Sequence, residues 1–82
     1  MSNLDKYNNI FQEVFSVAKE NLNADFTILS VEKWDSVAHM ELISKIEDEF
    51  GIMLDTNDII DFSSYIKGIS ILTKYSVDIE EN

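Results

Sequence analysis

The chain has 82 residues, with six lysines, no arginine and sixteen acids, for a net charge of −10 at pH 7. That length holds one small core, read as a single domain over residues 1–82, and the charge disfavours nucleic acid and anionic lipid while favouring basic protein patches. With no cysteine, one histidine and no apolar run of membrane-spanning length, neither a disulfide, a metal centre nor stable membrane insertion is expected.

The opening "MSNLDKYNNIFQEV" has neither a basic leader nor an unbroken apolar stretch, so it does not read as a signal peptide and the expectation is a cytoplasmic protein. Leu4, Tyr7, Ile10, Phe11, Val14, Phe15, Ala18 and Leu22 recur at helical spacing. They predict a first helix over roughly residues 3–21, capped by Ser2 or Asn3, with Asp5 early and Lys19 late as the helix dipole prefers. Residues 22–35 follow no period, although they hold Phe26, Ile28, Leu29, Val31 and Trp34. They read as a long first loop, with at most one helical or extended turn, laid across the helices to help cover the core.

A second helix is expected from Ser36 to Phe50, ended by Gly51. Thr56 then caps a short helix over 56–61 carrying Ile59 and Ile60, and a last helix begins near Ser64. Ile66, Ile69 and Leu72 face inward in that reading, with Tyr65 and Tyr75 beside them. Gly68 inside the last helix costs up to about 1 kcal/mol against alanine, which points to a close contact or a weak helix. Residues 77–82, "VDIEEN", read as a frayed acidic tail. The expected fold is all-α, with three main helices, one short helix and a long first loop.

The second helix carries the chemistry. At about 100° per residue, Leu42, Ile43, Ile46 and Phe50 share one arc, the core face. Glu41, Ser44, Glu47 and Asp48 fall elsewhere, with Val37 and Met40 at the border. Two apolar side chains framed by carboxylates suit a docking surface, the acids steering a basic partner; a solvated charged face fits the same stripe. Ser36 also has two readings. Asp-Ser at a helix start is ordinary capping chemistry. A phosphate ester on Ser36 would instead lie at the positive end of the helix dipole, with Asp35 placed to help position a metal-bound donor phosphate.

No catalytic set emerges. His39 sits inward, too close along the same helix to serve Ser36 as a base, and no glycine-rich phosphate loop exists. A hydrogen bond from His39 to a loop carbonyl is expected, with sensitivity to its protonation as a secondary role. Trp34 is expected to pack over the core or fix the loop beside the helix, and Met40 and Met53 to be packing or border residues. "DTNDIIDF" fails the calcium-loop pattern, because Ile59 stands at a ligand place and the turn glycine is missing.

The run "DSVAHMELISKIEDEFGI" resembles the signature of acyl carrier proteins and related peptidyl carrier domains. Asp35, Ser36, Glu41, Leu42, Glu47, Asp48, Glu49 and Phe50 match it in register. The resemblance implies a four-helix bundle in which a phosphopantetheinyl transferase moves 4′-phosphopantetheine from coenzyme A onto Ser36, supported by Asp35. The arm's thiol then carries acyl groups as thioesters, which accounts for a carrier without cysteine. Val37, Met40, Glu41, Glu47 and Asp48 map to the face that docks partners. The implied partners are the transferase, an acyl- or aminoacyl-loading ligase, and acyltransferases or synthases with basic patches, served by a monomeric, non-catalytic carrier. Val37 stands where leucine is usual, Asp55 where proline is usual, and Trp34 and His39 flank the serine. The form with Trp34 and His39 around the serine departs from the common fatty-acid-synthesis pattern and looks more like discrete carriers of specialised pathways, such as surface-glycan acylation, polyketide or aminoacyl-carrier systems; the resemblance as a whole implies a fatty-acid pathway or a specialised lipid, polyketide or surface-glycan one. The rival reading is an acidic interaction module in which Ser36 is only a cap.

Overall fold

The computed structural model describes residues 2–79. Helix α1 spans Asn3–Phe15, α2 Ser36–Phe50, α3 Thr56–Asp61 and α4 Tyr65–Lys74. A single 3₁₀ turn, Lys19–Asn21, interrupts the first loop. No strand occurs among the described residues; one isolated antiparallel bridge joins Thr27 to Ser64. The Ile28 N–H donates to the Ser63 carbonyl at 2.9 Å and the Tyr65 N–H to the Phe26 carbonyl at 2.9 Å. These bonds pin the long loop to the start of α4, and so place Ile28 and Trp34 beside α2.

The centre of the core is aromatic. The Phe11 ring is the hub, with centroids 4.9 Å from Tyr7, 5.3 Å from Tyr65, 5.8 Å from both Phe15 and Phe26, 5.9 Å from Trp34 and 6.4 Å from Phe62. Leu42, Ile43, Ile46, Leu54, Ile71 and Leu72 fill the spaces around it. Each large side chain taken out of water contributes roughly 1.5–3 kcal/mol before the cost of ordering it. The polar groups inside are paired: the Tyr7 hydroxyl donates to the Tyr65 carbonyl at 2.7 Å, and the Tyr65 hydroxyl donates to Asn8 Oδ1. Burial raises both phenol pKa values, Tyr7 well above the ordinary value.

A second polar cluster ties α3 to α4. Lys74 Nζ lies 2.6 Å from Asp58 Oδ1, the Tyr75 hydroxyl donates to Asp58 Oδ2 at 2.6 Å, and the Asp55 N–H donates to the Tyr75 hydroxyl oxygen at 2.9 Å. Hydrogen bonds from Lys74 and then Tyr75 hold the Asp58 carboxyl below its ordinary range. The same contact to Asp58 raises both Lys74 and Tyr75.

Several expectations need correction. The first helix stops at Phe15, not near residue 21, because Ser16 turns left-handed (φ 54°) and its N–H closes on the Gln12 carbonyl at 2.9 Å. Lys33, not Lys19, then supplies the cation at that helix end, its Nζ 3.3 Å from the Phe15 carbonyl. The cap position of α3 is Asp55 rather than Thr56. In α4 the close seat of Gly68 under Tyr7 and Phe62 fixes the helix rotation, so Tyr65, Ile71 and Leu72 turn inward and Ile66 is left 47% exposed. Residues 77–79 are not frayed. Ser76 turns left-handed, the Val77 N–H returns to the Leu72 carbonyl at 3.1 Å, and Val77 and Ile79 are buried. The rest of the expected tail, 80–82, lies outside the described residues. Leu29 and Met53, expected as core cover and border packing, are both exposed.

Candidate functional site at the start of helix α2

Asp35 has extended backbone geometry (φ −98°, ψ −174°), and its Oδ1 accepts the Ala38 N–H at 2.8 Å. The Asp35 carbonyl takes the His39 N–H, also at 2.8 Å. Of the two capping oxygens that the Asp-Ser pair offers, the aspartate's is therefore the one used, and Ser36 is not the cap. Ser36 is the first helical residue and is exposed. The first N–H groups of a helix have no intrahelical acceptor. With Ala38 and His39 satisfied by Asp35, the Ser36 and Val37 N–H groups remain for an anion at the positive end of the α2 dipole. An exposed primary hydroxyl beside these donors fits a phosphate diester on Ser36.

The hydroxyl opens on a shallow groove of ≈ 320 Å³ lined by Ile28, Trp34, Asp35, Ser36, His39, Met40 and Ile60. His39 forms its floor. Trp34 Nε1–H, which can only donate, points to His39 Nδ1 at 2.9 Å, and His39 Nε2 lies 2.8 Å from the Ile59 carbonyl. Those two partners require the neutral tautomer with the proton on Nε2. His39 does face inward, as its place on the wheel requires, but its carbonyl partner belongs to α3 rather than to the loop near the helix start. One imidazole thereby joins the long loop, α2 and α3 directly beneath the serine.

Along the outer face of α2, Val37 and Met40 are exposed, at 76% and 57%, and Glu41 and Asp48 are exposed. Neither Glu41 nor Asp48 enters an ion pair among the described residues. Glu47 differs. It is half-buried, and its Oε2 accepts the Leu54 N–H at 2.9 Å, so it holds the α2–α3 loop while its neighbours stay free. The groove also has walls outside α2. Ile28 and the 71%-exposed Ile60 face Met40 across it. Sequence reasoning missed both as site residues. The one available signal was Ile59-Ile60: two adjacent residues about 100° apart on a one-and-a-half-turn helix cannot both face the core.

Among the described residues no cluster of histidine, cysteine or carboxylate could hold a metal ion, and no helix is long and apolar enough to cross a membrane. A family model described as a phosphopantetheine attachment site matches residues 8–67. That span runs from the middle of α1 into α4 and contains the whole site. No curated protein and no solved structure matches the chain.

Proposed function

The chain belongs to the phosphopantetheine-attachment family, whose members bear 4′-phosphopantetheine covalently, and from that premise we propose that Ser36 is the attachment residue of a carrier for thioester-linked groups. One observation carries the assignment to Ser36. Asp35 satisfies the helix start, so the exposed serine hydroxyl is not needed for capping and is left for chemistry.

In the proposed modification, a transferase brings coenzyme A to the start of α2. Ser36 Oγ attacks the phosphorus bearing the pantetheine half, and a P–O bond to Ser36 forms. The phosphoanhydride bond breaks, the adenosine bisphosphate leaves with its electron pair, and the serine proton passes to the transferase or to water. Asp35 Oδ1 is engaged in the cap, and Oδ2 would be the oxygen that orients the donor's metal-bound phosphate. The α2 N–H groups receive the resulting diester charge. Once attached, the arm supplies a thiol that forms thioesters, a function this chain has no cysteine to perform.

The protein then acts as a substrate and shuttle rather than as a catalyst. Glu41 and Asp48 steer basic patches on the transferase, a loading ligase, and acyltransferases or synthases. Val37 and Met40 provide the local burial. In this reading the carrier is monomeric and cytoplasmic, and works in a specialised pathway such as lipid, polyketide or surface-glycan acylation. An acidic module that merely binds a basic partner would use the same face, and would leave Ser36 unmodified.

Intact-mass spectrometry after incubation with coenzyme A, magnesium and a broad-specificity phosphopantetheinyl transferase tests the proposal. One phosphopantetheine should add to the wild type and none to Ser36→Ala. A folded wild type that stays unmodified beside an active control carrier would return the protein to the interaction-module reading.

A further inference from the structure

We infer that this carrier keeps its cargo outside the helical bundle, and that its cargo is therefore short or polar rather than a long alkyl chain. The inference rests on the proposal that Ser36 bears the arm, and concerns where the group on its thiol goes.

The groove beside Ser36 lies between α2, α3 and the long loop, so the way inward from it for a chain on the arm's thiol runs between α2 and α3. Three features bar that route. The Trp34–His39–Ile59 bridge crosses it directly under the serine, and parting α2 from α3 would break the His39–Ile59 hydrogen bond that joins them. Helix α3 is also fastened through Asp58 to Lys74, at the end of α4, and to Tyr75 just after it. Beyond the bridge, the space is filled by Leu42 and Ile46 of α2 and by the Phe11 and Phe62 rings. Phe11 and Phe62 are fully buried, and the fit is close enough that even a methyl group on Gly68 would overlap Phe62. An interior filled this closely admits a chain only by displacing side chains.

The space offered near Ser36 is instead the open groove between Ile28, Met40 and Ile60. A long saturated chain left there would remain largely in water, at a cost that grows with each methylene. A short acyl, hydroxyacyl or aminoacyl group bears little of that cost.

The experiment loads the full chain from acetyl-coenzyme A and, separately, octanoyl-coenzyme A with the broad-specificity transferase, and verifies each product by intact mass. Nuclear Overhauser contacts from the acyl chain and amide hydrogen exchange are then measured on both. The expected result is the same protection of core amides in the two forms. Octanoyl contacts should be absent at Leu42, Ile46, Phe62 and Leu72, and any that occur should be confined to Ile28, Met40 and Ile60. Octanoyl contacts at Phe62 or Ile46, or a rise in core protection with chain length, would overturn the inference and leave the attachment reading standing. If Ser36 accepts neither group while a control carrier does, the attachment reading falls and takes this inference with it.

Discussion

The Trp34 indole N–H donates to His39 Nδ1 at 2.9 Å, so the last buried residue of the long loop is fixed by the residue one turn below the candidate attachment serine. Because His39 also reaches the Ile59 carbonyl, removing the imidazole frees two partners at once. His39→Ala should destabilise the fold by roughly 1–3 kcal/mol, the usual cost of leaving a buried polar group unmet. Denaturant unfolding followed by Trp34 fluorescence measures it, and a change near zero would mean water replaces the imidazole without loss.

Asp35 and Ser36 are adjacent, but their substitutions should separate. Asp35→Ala removes the α2 cap and should cost about 0.5–2 kcal/mol. Ser36→Ala should leave the unfolding midpoint nearly unchanged and abolish arm attachment. Thermal unfolding and intact mass on both variants decide this; equal destabilisation by the two would mean that the serine shares the capping role.

Gly68→Ala sets two effects against each other. Alanine is the better helix former by about 1 kcal/mol. The new methyl, however, would stand 2.6 Å from Phe62 Cε1 and overlap Tyr7 Oη, both of them fully buried. Overpacking of that kind costs typically 1–3 kcal/mol, so the net change should be destabilising. A higher unfolding midpoint for the variant would show that Phe62 moves aside freely.

The Asp58 cluster predicts losses at both ends of the pH scale. The Asp58 carboxyl is lowered in the folded protein, so its contribution is present above the unfolded value of 3.8 and is lost as pH falls through the folded value. Lys74 is raised above 10.5 and Tyr75 above 10.0. Their contributions are complete below those values and disappear as pH rises through the folded ones. Asp58→Asn should therefore flatten the stability profile below about pH 4 and above about pH 10 relative to wild type. Melting temperatures across pH check this, and parallel wild-type and variant curves would contradict it.

Charge reversal at Glu41 and Asp48 should slow arm attachment, with the deficit shrinking as salt is added, because both acids are exposed and enter no ion pair among the described residues. Glu47→Ala should behave differently. It removes the acceptor of the Leu54 N–H, and should loosen the α2–α3 loop more than it slows attachment. Modification rates and loop hydrogen exchange distinguish the two. An equal rate loss for all three positions with no change in exchange would make Glu47 a docking residue after all.

How much of this was legible in the sequence depended on punctuation. Helix α2 could be bounded because Asp35 and Gly51 mark its ends chemically, and Gly51 does adopt φ 64°. The end of α1 could not, because Ser16 enters the left-handed region where glycine is the usual signal and the apolar period runs on through Ala18 and Leu22. The acidic composition of the last residues hid the alternation of Val77 and Ile79, which is what buries them. At the site, Ser36, Asp35 and the free acids of α2 follow from one helix and its register. Ile28 and Ile60 come from an aperiodic loop and a six-residue helix, and only tertiary pairing brings them to the serine.

The Asn3 side-chain amide donates to the Asp78 carbonyl at 3.0 Å, which brings the two ends of the described chain side by side. The order of the helices along the chain is thus separable from their arrangement in space. A short linker could join those ends and new termini could be opened at the exposed Asn23–Ala24 step of the long loop, leaving every helix intact. Such a circular permutant would present Ser36 from the same bundle, with its new ends in the long loop that precedes α2.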